Sequence, residues 1–462
     1  MKPQVLLMLA PTALAGALLA AQYAGGDPLT GIWRCQGYGE LLRLEEHGGT
    51  LYEETSVSLL PVQRVRRAGD RLEFEESFRD GTVHFAAGRL ELRADALERL
   101  RVFDRIASLP PESPAGRDPE RAFEIFWRSF EEHYAFFDLR GVDWPAVYRE
   151  HRPRVSARTT DQELTTVLRA LVSRIDDAHT WVETGGARFS GYTRHALSKR
   201  RLELRGVVEK SYLASEPLRA AAAGSVLWGR LRGGAGYLAL TRFAGHLEGR
   251  SEIEDLVGQR AALERGVDQA LGELQAAPAL VVDVRWNGGG FDDFARAAAA
   301  RLADRRRPGY SKRARRVGVE AATAPLFFEI APAPRSFTGP VALLTSRMTG
   351  SGAEIFVLST MAFPHILRVG EPTGGWLSDV LERRLPNGWR FGLSNEIYLG
   401  PDGELYESRG IPPHQQVPLL TKDLDAGRDR ILEEALRQVE VAPADAMRGA
   451  RARRDPAARP ET

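Results

Sequence analysis

Ala279-Leu280-Val281-Val282-Asp283-Val284-Arg285-Trp286-Asn287-Gly288-Gly289-Gly290 decides how the chain folds. The near-continuous apolar run after Pro278 has the character of a strand buried on both faces, as in a parallel or mixed sheet, and the glycines that end it form a turn of exposed backbone amides. Residues 294–302 then resume as a helix. The same grammar recurs at 340–345, leading to Arg347-Met348-Thr349-Gly350-Ser351-Gly352-Ala353-Glu354 and an apolar, helix-like run at 355–361. It recurs again at Ile366-Leu367-Arg368-Val369, leading to Gly370-Glu371-Pro372-Thr373-Gly374-Gly375. In α/β folds chemistry gathers where strands exit, so the Gly288 to Gly290 turn and the Ser351 turn are expected on one rim of a sheet.

Ser351 sits where the N–H groups of a starting helix are unpaired and the helix dipole is positive, an environment that stabilises developing negative charge. A nucleophilic serine fits that position. A serine that merely caps the helix fits it too, because serine is a favoured cap residue.

Around this core the sequence changes character several times. Between 31 and 103, short segments such as Leu41-Leu42-Arg43-Leu44 and Arg89-Leu90-Glu91-Leu92 alternate or cluster apolar residues between Gly and Asp turns, which predicts a small antiparallel barrel or sandwich. His47 and His84 lie in it without metal-ligand spacing, and no cofactor or metal is expected. After the Pro-rich break at 109–114, Ala122, Phe123, Phe126, Trp127 and Phe130 recur at helical spacing, and the pattern returns from 164 to 175 behind the start signals Thr160, Asp161 and Glu163. This predicts a helical layer ending at Asp176-Asp177-Ala178-His179-Thr180. Residues 185–224 are polar, Arg-rich and weakly periodic, too short for a separate peptide-binding module. A strand at 236–243 and a helix at about 251–275 precede the opening stretch, and Pro386-Asn387-Gly388 signals a hairpin, so the sheet should end in antiparallel strands.

Composition bounds the function. The 462 residues are 43% hydrophobic and carry a net charge of +1, which suits a soluble chain and gives no argument for nucleic acid or acidic lipid as a partner. A single cysteine, Cys35, cannot form an internal disulfide. Only five of the 63 basic residues are lysine, and none lies between Lys312 and Lys422. Residues 1–24 have the size and shape of a signal peptide, with a retained N-terminal anchor as the alternative, so export is expected. The Ala-, Arg- and Pro-rich tail at 442–462 has little to bury and is expected to be disordered.

Taken together, Asp177-Ala178-His179-Thr180, Asp283 to Gly290, Ser351-Gly352-Ala353-Glu354, Val369 to Gly375 and Glu407-Ser408-Arg409-Gly410-Ile411-Pro412 resemble the tricorn and C-terminal processing peptidase family of serine proteases. The resemblance spans roughly 118–420 and implies an α/β fold. Its parts would be a mixed-sheet, tail-specific-protease (crotonase-like) core at 231–425, a helical cap at 115–185, a connecting segment at 186–230 without a PDZ module, and a small β domain at 27–108 as an addition. One branch of the family uses a lysine about 25 residues after its serine, and here that neighbourhood holds Gly374-Gly375-Trp376 instead. The tricorn-like branch uses a histidine, and His179 occupies the matching position. The resemblance implies Ser351 as nucleophile, His179 as general base and Glu407 as the acid that orients it. Gly352 with Gly290 or Gly289 would form the oxyanion hole. Where the type protein has a serine before the histidine this chain has Ala178, so Glu407 must reach His179 directly or through water, or Asp177 must replace it. Expected substrates are short or unfolded polypeptides. A family member that binds an apolar ligand or peptide without turnover, and a scaffold whose β domain recruits a partner, share the same fold.

Overall fold

The computed structural model describes residues 27–441 apart from 76–78, 96, 98–99, 193–199, 215–216 and 317–321. The signal segment and the C-terminal tail read from the sequence lie outside the described residues. Two compact units divide at Gly116 and Arg117. In the first, eight antiparallel strands between Gly31 and Ile106 close into a barrel, in which each strand pairs with the next and the last returns to the first. Closure leaves no free sheet edge, and alternation turns Trp33, Leu42, Leu44, Leu51 and Phe103 into buried positions.

The second unit is built on a seven-stranded mixed sheet whose spatial order is its chain order: β1 (Arg219–Ala221), β2 (Val226–Arg230), β3 (Gly236–Leu240), β4 (Leu280–Asp283), β5 (Val341–Thr345), β6 (Ile366–Gly370) and β7 (Gln415–Gln416). The first three pair antiparallel, and β3 to β7 run parallel. β1 and β2 fall within the Arg-rich segment read as a connection, where three- and five-residue strands are too short to show a period. β3, β4 and β5 are buried at every position, which is why they read as unbroken apolar runs rather than alternating ones. Helices α1 (Leu256–Leu274), α2 (Asp292–Ala300) and α3 (Gly352–Thr360) follow β3, β4 and β5 in turn. On one sheet face Tyr237, Ala239, Val281, Ala342, Leu344 and Val369 share a core with Leu204 and Val208 and with Ile431, Leu432 and Ala435 of the last helix, Arg430–Val441.

Before the sheet come helices Pro119–His133, Phe137–Arg140, Trp144–His151 and Asp161–Val172. The last begins at the expected signal: Thr160 and Glu163 form a reciprocal capping box. The chain then makes the Asp177 to Thr180 turn and enters strand Trp181–Thr184, which pairs antiparallel with Arg390–Ser394 of the Pro386-Asn387-Gly388 hairpin. This pairing carries His179 from the helical layer to the C-terminal half of the unit.

One ion cluster fastens the sheet to the last helix. Arg285, fully buried just after β4, pairs with Asp283 at 2.6 Å and with both oxygens of Asp429 at 2.7 Å, and Asp429 also accepts the N–H of Leu432 at 3.0 Å. Removing one partner of such a buried cluster leaves uncompensated charge. Arg285→Ala, which strands two carboxylates, is expected to destabilise the second unit by about 3–5 kcal/mol, read as a lower urea midpoint. An unchanged midpoint would overturn the fastening role.

Candidate active site

Ser351 ends the turn between β5 and α3, immediately before the helix, and its backbone is strained: φ is 53° and ψ is −130°, a region that side chains rarely adopt. Such a turn projects the side chain away from the sheet edge while the helix N-terminus starts directly behind it. The strain is held by neighbours. The N–H of Ser351 donates to the carbonyl of Trp376 at 3.1 Å, and the N–H of Gly350 donates to the carbonyl of Asn287 at 3.1 Å.

The two glycine turns do share a rim. There is no room for a side chain at Gly289, where a Cβ would lie 2.5 Å from Cβ of Ser351, nor at Gly352, where it would lie 2.6 Å from the carbonyl oxygen of Gly290. Contact this close is possible only between glycines. The two turns differ in what their amides do. The N–H of Gly289 is engaged by Oδ1 of Asn287 at 2.8 Å, which removes it as an oxyanion donor. Among the described residues the amides of Gly290 and Gly352 have no acceptor, and a Cβ on Gly352 would lie 3.1 Å from N of Gly290. They are the adjacent donor pair.

Glu354, one turn into α3, is fully buried. Its carboxylate accepts from Oγ1 of Thr373 at 2.6 Å, the amides of Gly375 and Trp376 at 2.8 Å, and the amide of Ser351 at 3.3 Å. Burial pushes its pKa up to about 7, with those four donors pulling the other way. The sequence offered Glu354 only as a landmark, yet it clamps residues 373–376 against the Ser351 turn. The next two residues continue the pattern: the amides of Leu377 and Ser378 donate to Oε2 of Glu407 at 2.8 and 3.2 Å. The backbone of Ser378 in turn meets the ring of His179. One loop, 373–378, therefore touches all three residues singled out from the sequence.

Glu407 is buried, and its other oxygen accepts from Nη2 of Arg140 at 2.7 Å. Burial, reinforced by the charge of Asp177, raises its pKa to about 8 against the pull of Arg140. No hydrogen bond joins Glu407 to His179. Arg140 bridges instead to the histidine turn, with Nε 3.6 Å from Asp177 and Nη1 on the carbonyl of Asp176. Asp177 is buried; it accepts the backbone N–H of His179 at 2.9 Å and the hydroxyl of Tyr134 at 2.9 Å. It thus orients the turn and not the ring. The half-buried His179 has a buried Nδ1 without a hydrogen-bond partner among the described residues. Desolvation lowers its pKa from the ordinary 6.5, opposed by the carboxylates of Asp177 and Asp379, so the ring is neutral at pH 7 and able to accept a proton. Arg140 and Tyr134 carried no local signal in the sequence, since their partners lie 267 and 43 positions away. Lys312, the lysine buried in this unit, binds Glu396 at 3.0 Å and the hydroxyl of Tyr398 at 3.2 Å. Among the described residues no group of His, Cys, Asp and Glu is arranged to hold a metal ion.

This geometry can be compared with known proteins. The profile of Peptidase family S41 matches residues 234–417, and that of the Tricorn protease C1 domain matches 116–173. Over residues 234–417 the chain is similar to peptidase family S41, whose members are serine-type peptidases. The S41 profile covers β3 to β7 and every glycine turn described above, and the C1 profile covers the helical layer. Among solved structures, a putative peptidase from Parabacteroides merdae aligns over 72% of this chain and 99% of its own, with 24% identity and a TM-score of 0.60. Mature CPAF aligns over 70% of this chain and 97% of its own, with 11% identity and a TM-score of 0.53. Both likenesses are of fold. No curated protein sequence matches the chain.

Two expectations follow for this site. Because the Asp379 charge raises the pKa of His179, Asp379→Asn should lower it further; NMR titration of the ring should show wild type below 6.5 and the variant lower still, and an upward shift would contradict the assignment. Glu354 has a folded pKa above its ordinary 4.5, so between about pH 4.5 and 7 the folded chain keeps a proton that the unfolded chain releases. Its contribution to stability is present below 4.5 and lost as pH rises through 7. Urea melts across that range should therefore show a steeper fall for wild type than for Glu354→Gln, and parallel curves would sink the claim.

Proposed function

We propose that this chain is an exported serine peptidase that hydrolyses short or unfolded polypeptides through an acyl-enzyme. The observation that carries the reading is the convergence of Ser351, His179 and Glu407 on the loop 373–378, beside the two acceptor-free amides of Gly290 and Gly352. In this mechanism Oγ of Ser351 attacks the scissile carbonyl while neutral His179 takes its proton. The oxyanion accepts from the amides of Gly352 and Gly290. His179 returns the proton to the leaving amine, and water then repeats the sequence in reverse roles to release the acyl group. Glu407 acts as a positioning residue: it accepts from the amides of Leu377 and Ser378 and so holds the loop whose Ser378 backbone meets the imidazole, instead of bonding to the ring. Asp177 sets the turn that presents the ring. The tail-specific-protease, crotonase-like reading of the core and the helical-cap role of the layer before it belong to the same proposal. Export rests on the composition of residues 1–24.

The unpartnered Nδ1 of His179 favours one rival, a family member that binds a peptide or apolar ligand without turnover. Labelling with a fluorophosphonate probe followed by peptide mapping separates the two. The expected adduct is on Ser351, and it should be absent from His179→Ala. Peptide hydrolysis by Ser351→Ala should fall at least about 10³-fold. A folded wild type that takes no label would favour the binding reading.

A further inference from the structure

Glu354 ties the loop 373–378 to the Ser351 turn, but the second amide of the donor pair belongs to another turn, Gly288 to Gly290, which runs straight into α2. At that helix start lies a cluster that the catalytic assignment does not use. Lys312 on strand Arg307–Ala314 stands directly opposite Tyr398 on strand Glu396–Leu399, and Glu396, two positions before Tyr398, shares its face. All three are buried. Nζ of Lys312 donates to Oε2 of Glu396 at 3.0 Å and to the hydroxyl oxygen of Tyr398 at 3.2 Å. The same hydroxyl lies 2.7 Å from Oδ2 of Asp292, the first residue of α2, and 2.9 Å from Oε2 of Glu396.

The cluster continues toward the histidine. The N–H of Glu396 donates to Oγ of Ser378 at 3.1 Å, and the backbone of Ser378 meets the ring of His179. A run of contacts therefore leads from Gly290 through Asp292, Tyr398, Glu396 and Ser378 to His179, with Tyr398 as its joint. The Tyr398 hydroxyl has one hydrogen and faces two carboxyl groups, so both contacts become hydrogen bonds only when one of those groups carries a proton of its own. Asp292 is that group, because Lys312 stands 3.0 Å from Glu396 but 3.8 Å from Asp292. Burial pushes the Asp292 pKa up to about 6, against the charge of Lys312. The charged and titratable groups around it are Lys312 and Tyr310 on one strand, Glu396 and Tyr398 on the other, Asp379 at the end of the loop, and Asp293 with Arg296 on its own helix. Burial and the two carboxyl groups hold the Tyr398 phenol well above its ordinary pKa, so its hydrogen is always present.

We propose that Tyr398 is a positioning residue: held by Lys312, it ties the helix that follows the oxyanion turn to the strand that holds Ser378, and so fixes the Gly290 amide relative to His179. The inference rests on the peptidase reading above and adds to it a residue that acts through the main chain at both ends. Buried ion clusters contribute little stability beyond what apolar residues of the same volume would give. What this one supplies is the relative placement of three segments.

Tyr398→Phe in the full chain removes only the hydroxyl, and circular dichroism checks that the fold is kept. With a peptide substrate its kcat should fall roughly 10–100-fold, the effect of a misplacement of about 1 Å, while KM stays within about twofold, since a buried side chain touches no substrate. A normal kcat, or a loss carried by KM, overturns the proposal. Asp292→Asn, whose amide can give Tyr398 the hydrogen that the protonated carboxyl gives, should retain more kcat than Asp292→Ala; equal losses would overturn it too. A second measurement needs no turnover. In isotope-labelled wild type the Asp292 carboxyl, assigned by its absence from Asp292→Asn, is titrated by NMR with an expected midpoint of about 6, and the amide of Ser378 should follow the same midpoint. In Tyr398→Phe that response should disappear. A Ser378 amide that ignores Asp292 in wild type, or follows it equally without the hydroxyl, overturns the tie. A wild type without peptide turnover whose Ser378 amide follows Asp292 through the hydroxyl would instead count against the peptidase reading alone.

Discussion

A single buried carboxylate, Glu354, holds the functional end of this molecule together. It accepts four hydrogen bonds from the loop 373–376 and from the Ser351 turn, so a serine with φ of 53° is locked from two sides. Without an acceptor there, four donors would face a desolvated space, each at a cost of about 1–3 kcal/mol. The loop it clamps then reaches Glu407 through two amides and His179 through the Ser378 backbone. The geometry of the site is thus set by main-chain amides radiating from one loop more than by direct contact between the reactive side chains.

In the proposed mechanism this arrangement lets the chain work with Ala178 before its histidine. The acid near the C-terminal edge is not joined to the ring by a side chain; Arg140 and the amides of Leu377 and Ser378 occupy its oxygens. The negative charge nearest the imidazole comes from Asp177 and Asp379. In the proposed mechanism, orientation and electrostatic support, combined in one residue in a simple triad, are divided between Glu407 and two aspartates.

Much of this was legible in the chain. Buried parallel strands read as continuous apolar runs, and Gly288 to Gly290 and Ser351 both follow such runs, so the shared rim could be expected before any coordinates. The capping box at Thr160 and Glu163 and the hairpin at Asn387-Gly388 were local signals and appeared where they were written. What the sequence hid was long-range pairing. Arg140 with Glu407, and Arg285 with Asp429, are contacts between segments far apart whose charges look like ordinary surface residues until the fold buries them. β1 and β2 were hidden for another reason: their residues are few, and the helix before them is polar on its outer side. Whether the glycine amides were free also depended on a side chain, Asn287, that takes one of them.

The sheet of the second unit adds its strands in the order in which they are synthesised, so its hydrophobic centre can assemble progressively behind the ribosome. The reactive groups cannot. His179 emerges early, but the strand that carries it onward pairs with Arg390–Ser394, and Glu407 follows later still. An unfinished chain therefore lacks both the last helix that closes the core of the sheet and the pairing that brings the histidine turn across, and the ability to cut a polypeptide arises only when nearly all of its own has been made.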